Sequence, residues 1–132
     1  MKKAVNVILL SFCMMFFSCS CEDKLGTTIT YEVTGTPPDG IAVDFRDELG
    51  SLDRFNNIAV PWVKTFKVQH RGPEYNDGQH SDGTFTAYIS AVAAAGQTVS
   101  LTVSIYVNGV FVSSGTSSEA YRAAQAFYQV RL

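Results

Sequence analysis

The chain has 132 residues, of which 46% are hydrophobic and 17% charged, with a formal net charge of −2. This length supplies one domain with a core of useful size. A mildly acidic chain without a Lys/Arg cluster is poorly suited to nucleic acid or to an anionic membrane surface.

Residues 1–18 read as a lipoprotein signal peptide. Lys2 and Lys3 form a basic start, and residues 4–17 are apolar except for Asn6 and Ser11. Ser18 then precedes Cys19, placing a small residue before a thiol that can accept diacylglycerol. Cys13 follows bulky Phe12, and Cys21 has polar Ser18 where Cys19 has apolar Phe16, so Cys19 is the preferred lipidation site. Two alternatives are an uncleaved anchor and a secretory leader cut near Ser18 or Ser20. The first is disfavoured because the apolar run falls short of the ~20 residues a spanning helix needs. Residues 19–26 would form the lipidated tether, with Cys21 the one thiol left after processing, so the domain must hold by packing without an internal disulfide. Glu22 and Asp23 resemble a surface-export signal and also suit a solvated linker. The expected location is the cell envelope, lipid-anchored to the outer membrane, with the periplasmic face and the cell surface both open.

Residues 27–132 carry short β-branched and aromatic runs separated by Gly, Pro, Asn and Asp. Residues 27–35 alternate, with Ile29, Tyr31 and Val33 in phase, and 36–40 (TPPDG) break the run. Residues 41–45 predict a second strand, and 46–57 a turn or irregular connection. Strands at 58–60 and 63–70 flank Pro61 and Trp62, and a long loop spans 71–83. Residues 84–94 return to strand. Residues 98–107 give the clearest alternation, Val99, Leu101, Val103, Ile105 and Val107 against Ser100, Thr102, Ser104 and Tyr106. Asn108-Gly109 suits a type I′ turn into a strand at 110–112. Residues 119–129 have helical composition, yet the alternation of Arg122, Ala124, Ala126, Tyr128, Val130 and Leu132 favours a closing strand. The predicted fold is therefore all-β, an immunoglobulin-like β-sandwich of about seven or eight antiparallel strands.

Three stretches in order, Tyr31-Glu32-Val33-Thr34-Gly35-Thr36, Val60-Pro61-Trp62 and Val107-Asn108-Gly109-Val110, resemble the mycobacterial membrane protein small (MmpS) family. In that family a Tyr-Glu-Val strand, a Leu-Pro-Trp step and an Asp-Gly or Asn-Gly hairpin follow one another. The likeness covers residues 28–128. It implies a small β-sandwich on the outer side of a membrane, serving as an accessory to large proton-driven lipid or siderophore exporters. The chain departs from the family in having a lipid signal instead of a membrane-spanning anchor. It also lacks the cysteine pair many members carry in the last third, with Val103 near one of those positions. Packing can replace a disulfide, so the fold transfers more readily than the exporter partnership.

Few residues suggest a site. His70, Glu74, Asp77, His80 and Asp82 are metal-ligand types, but their spacing in a Gly/Pro-rich loop matches no short metal motif, and turn chemistry accounts for them. Asp44, Asp47, Glu48 and Asp53 offer carboxylates for glycoside chemistry, yet Arg46 and Arg54 lie among them and favour ion pairs. No nucleophile elbow or phosphate loop is present. The expectation is a non-catalytic protein without a cofactor, binding an envelope transporter or another envelope protein, or alternatively a surface module for glycan or host protein. Tyr75, Tyr88 and Tyr106 are the candidate binding aromatics. Phe111 is expected in the core, as is Trp62 at one end of the sandwich.

Overall fold

Alternation of apolar and polar side chains along the chain is realised as strands whose apolar phase turns inward. In the computed structural model, which describes residues 26–69, 83–94 and 98–132, the elements are β1 (Gly26–Thr36), β2 (Ile41–Arg46), β3 (Leu52–Ile58), β4 (Trp62–Gln69), β5 (Thr84–Ala93), β6 (Ser100–Val107), β7 (Val110–Ser117) and β8 (Ala124–Arg131). They form two four-stranded antiparallel sheets, ordered β4-β1-β6-β7 and β3-β2-β5-β8, packed face to face as a β-sandwich. The leader and the tether up to residue 25, including Cys13, Cys19 and Cys21, lie outside the described residues, as do Tyr75 and the loop from His70 to Asp82.

The core comes from the inward phase of the central strands. Ile29, Tyr31 and Val33 of β1 and Leu101, Val103 and Ile105 of β6 face Ile41, Val43 and Phe45 of β2 and Phe85, Ala87, Ile89 and Ala91 of β5, all buried. Aromatic rings extend this core toward β3 and β4. Phe66 stacks on Tyr31, Tyr31 on Phe45, and Phe45 on Trp62, at centroid separations of 5.4, 5.8 and 5.6 Å. Trp62 is half-buried there, in keeping with its expected place against the core.

Tyr31 ties the two sheets together. Its hydroxyl donates to the carbonyl of Arg46 at 3.0 Å and accepts from the backbone N–H of Tyr88 at 3.2 Å. The β2–β5 ladder ends at the pair Phe45 and Ile89, so 46 and 88 are the next positions along it. The hydroxyl thus satisfies a donor and an acceptor beyond the end of the ladder, where burial would otherwise leave them without water. Burial in turn pushes the Tyr31 pKa far above the usual tyrosine value.

At the opposite margin, β7 closes onto β8. Gly115 lies against the backbone of Gln125 so closely that a Cβ would run into its carbonyl oxygen. A residue without a side chain is what permits this approach.

Three expectations need correction or extension. Residues 46–57 are not simply a connection: β3 runs from Leu52 to Ile58 along β2. Almost the whole strand is exposed on both faces, so it carries no apolar alternation to read. It is held by the ladder to β2 and by the Arg54–Asp44 pair at 2.5 and 2.8 Å. Of the strand expected at 58–60, only Ile58 is in β3, and the Val60 N–H donates to the carbonyl of Pro38. Strand β7 continues past 112 to Ser117 through a Ser/Thr/Gly stretch. The terminal segment resolves as strand β8, with Ala124, Ala126 and Val130 buried.

The 108–109 hairpin has the positive φ values a type I′ turn requires, 50° at Asn108 and 78° at Gly109. Asn108 also does more than turn the chain. Its N–H donates to the Thr28 carbonyl at 2.8 Å, and its side-chain Oδ1 accepts from the Thr28 N–H at 2.9 Å. This extends the β1–β6 pairing one residue past Ile29 and Val107.

Candidate functional site

Each sheet has an outer face, and each face presents aromatic rings. On the β3-β2-β5-β8 sheet the register places Leu52 beside Arg46 and Tyr88 beside Phe127. Arg46 follows the last β2–β5 pair and falls next to Tyr88, so the four side chains make a row across all four strands. With neighbouring strands about 4.8 Å apart, the row is about 14 Å long. Phe127 is 72% exposed and Leu52 63% exposed, and Tyr88 is half-buried between the strands. The row floors an open groove of about 680 Å³, completed by Gly50, Ser51 and Thr86. Tyr88 is not free to swing, because its hydroxyl accepts from Gln125 Nε2 at 3.3 Å.

The outward phases of β2, β3 and β8 carry Arg46, Arg54 and Arg131 together with Asp44, which is bonded to Arg54, and the turn between β2 and β3 adds Asp47 and Glu48 beside them.

The β4-β1-β6-β7 sheet presents a different surface, rich in Ser and Thr. Tyr106 is half-buried there, with its hydroxyl donating to Glu32 Oε2 at 2.9 Å. That hydrogen bond, with the negative charge of Glu32 beside it, raises the Tyr106 pKa above the ordinary value. Phe111 meets Tyr106 edge-on at 5.9 Å, and Val63, Thr30 and Glu32 line a recess of about 280 Å³ beside Tyr106.

Phe111 was expected in the core and is instead 56% exposed. The pairing passes from Ile105 and Ser113 to Tyr106 and Phe111, so β7 has one residue more than β6 at this point. The bulge lies beyond Phe111, which the two-residue turn sets opposite outward-facing Tyr106, and that register puts its ring on the outer face.

Of the three candidate tyrosines, Tyr88 and Tyr106 lie on opposite outer faces and cannot share one platform. Tyr75 lies outside the described residues. Two of the carboxylates considered for catalysis are engaged locally. Asp44 pairs with Arg54, and Asp47 Oδ1 accepts from the N–H groups of Leu49 and Ser51 to shape the turn before β3. Among the described residues no three metal-ligating side chains come together. The same residues contain no helix long and apolar enough to cross a membrane.

Phe127 and Leu52 were not singled out by sequence reasoning, and Arg46 was considered only as an ion-pair partner. Phe127 was accessible to it, because the alternation that buries Ala126 must expose its neighbour. Leu52 was not, since it lies in a stretch without periodicity. No protein-family model matches the chain, and no curated protein is significantly similar to it.

Proposed function

We propose that this chain is a non-catalytic, lipid-anchored β-sandwich of the cell envelope, acting as a binding or accessory module for an envelope transport complex. Cys19 would carry the lipid and hold the domain at the outer membrane. The observation that carries the binding role is the row of Leu52, Arg46, Tyr88 and Phe127 in an open groove. Large apolar side chains exposed together on a rigid sheet are what a docking surface offers. The sharper role, assistance to an exporter, rests on the likeness of the 31–36, 60–62 and 107–110 stretches to the MmpS family.

The test is an affinity pull-down of tagged, lipidated protein from solubilised envelope membranes, with partners identified by mass spectrometry. Recovery of a large transporter, diminished by Leu52→Ala with Phe127→Ala, is the expected result. A clean preparation without a stable partner would refute the accessory role. Lipid anchoring has its own check: Cys19→Ala should release a folded domain. Membrane association of that variant after a high-salt wash would rule the lipid out as the anchor.

A second reading, a surface module for glycan or host protein, is favoured by the exposure of the Phe127 and Phe111 rings. An exposed ring beside hydrogen-bonding side chains suits a sugar, which has both an apolar face and hydroxyls.

A further inference from the structure

We infer that the outer face of the β3-β2-β5-β8 sheet pairs with the same face of a second copy of this chain, about a twofold axis that runs along the strands between β2 and β5. The inference rests on the reading of the row over Leu52, Arg46, Tyr88 and Phe127 as a docking surface, and it names the first partner of that surface.

The register makes this face complementary to itself. Such an axis lays β3 of one copy over β8 of the other, and β2 over β5. At each end of the row Leu52 then meets Phe127 of the second copy, so two strongly exposed apolar side chains cover each other. The next row along the strands runs Arg54, Asp44, Ser90, Gln125. There the bonded Arg54 and Asp44 face Gln125 and Ser90 of the second copy, and no charge meets its like. On the other side of the first row, exposed Glu48 of the β2–β3 turn and exposed Arg131 of β8 lie toward opposite margins of one end of the face. The axis exchanges those margins. It leaves each Glu48 offset from Arg131 of the second copy by about one strand and one side-chain row, about 8 Å, which two long side chains span. An axis set across the strands does worse. It stacks Arg46 on Arg46 or, moved between the rows, lays Leu52 and Phe127 over Arg54 and Gln125.

Chain direction favours the same axis. A twofold along the strands preserves their direction, and packed sheets keep their strands within about 30° of each other. Strand β1 of both copies therefore starts at the same end of the pair, and both chains lead from Gly26 toward one membrane. Four strands about 4.8 Å apart and about eight residues long give a face of roughly 19 by 26 Å, so two copies bury about 1,000 Å². That is the lower margin of a specific interface, and it supports a weak, concentration-dependent pair. Anchoring both chains in one membrane surface would raise their effective concentration without any new contact.

The experiment is analytical ultracentrifugation of the lipidated full chain in density-matched detergent. Protein mass should rise from one chain to two across about 1–100 μM. Leu52→Ala with Phe127→Ala should weaken pairing by more than about tenfold, because each loss occurs twice in the pair. Glu48→Arg should weaken it several-fold, and adding Arg131→Glu to the same chain should restore it. Val110→Ala, an exposed change on the other sheet, should alter nothing. Unchanged urea midpoints would confirm that the variants are folded. Disulfide trapping reads the axis directly. The row ends within one copy are about 14 Å apart, too far for a disulfide. In a Cys21→Ser background, chains with Leu52→Cys should therefore cross-link to chains with Phe127→Cys, and neither kind to itself. A mass of one chain throughout, pairing indifferent to Leu52→Ala with Phe127→Ala or to the charge reversals, or cross-linking within one kind overturns the inference. If the pull-down recovers a transporter through this face while the chain stays single, the module reading stands and the pairing falls. Pairing that depends on Leu52 and Phe127 without any recovered transporter supports the inference and removes the transport role.

Discussion

Replacing Tyr31 with phenylalanine isolates the polar tie between the sheets. The ring contacts with Phe45 and Phe66 survive, so the change removes the hydroxyl alone. Two hydrogen bonds are lost, to the Arg46 carbonyl at 3.0 Å and from the Tyr88 N–H at 3.2 Å. Each contributes about 1 kcal/mol net, and the two stranded backbone groups add part of their desolvation penalty, giving a loss of about 2–4 kcal/mol. That is a large fraction of the roughly 5–15 kcal/mol typical of a domain. In urea the midpoint should fall by about 1–2 M with the slope unchanged, because the surface exposed on unfolding is nearly the same. The alkaline limb gives an independent check. Burial raises the Tyr31 pKa in the folded state, so its stabilisation is complete below the unfolded value of about 10 and is lost as pH rises toward the folded value. The wild type should therefore lose more stability above pH ~10 than Tyr31→Phe does. A destabilisation below about 0.5 kcal/mol, or identical alkaline limbs, would refute the bridging role.

Gly115→Ala places a Cβ against the Gln125 carbonyl, which is backbone and cannot rotate away. The β7–β8 margin must then open, and a loss of about 3 kcal/mol in thermal or urea unfolding is expected. At the hairpin, Asn108→Gly keeps the positive φ and loses the side-chain bond to Thr28, for a loss of about 1 kcal/mol. Asn108→Ala loses that bond and also strains the turn, so its unfolding midpoint should fall further. For Tyr106, whose proton is favoured by the bond to Glu32, spectroscopic titration should place ionisation above the ordinary tyrosine value. Glu32→Gln should bring it back down; an unmoved titration would mean that the hydrogen bond does not form in solution. Any stabilisation from this pair is present below the unfolded tyrosine value and is lost as pH rises through the folded one.

The fold was legible where one face of a strand is buried. In residues 98–107 and 28–33 the apolar positions pack in or against the core and the polar ones between them lie on the outer side, so the period of two is written into composition. The same logic chose strand over helix for β8, whose alanines at 124 and 126 had to lie flat against β5. Legibility failed at β3, which is exposed on both sides and exists because β2 offers it a ladder. At Phe111 residue type was the poorer guide: the 108–109 hairpin sets it opposite outward Tyr106, so an apolar ring takes the outer face.

The candidate site shows the same division. That Tyr88 and Tyr106 point away from the apolar phases of their strands follows from alternation alone. That they belong to opposite faces of the molecule follows from sheet order, which depends on long-range pairing. The row joining Leu52, Arg46, Tyr88 and Phe127 draws on four strands, the first and last separated by most of the domain. By itself, then, the sequence determined strand character, the inward phase of the core strands and the 108–109 turn, because these depend on neighbours a few residues away. Only the tertiary structure decided which strands lie side by side, and with that which exposed rings and guanidinium groups share a surface. Those pairings are set by packing and ladder hydrogen bonds between segments far apart in the chain, for which local composition holds no record.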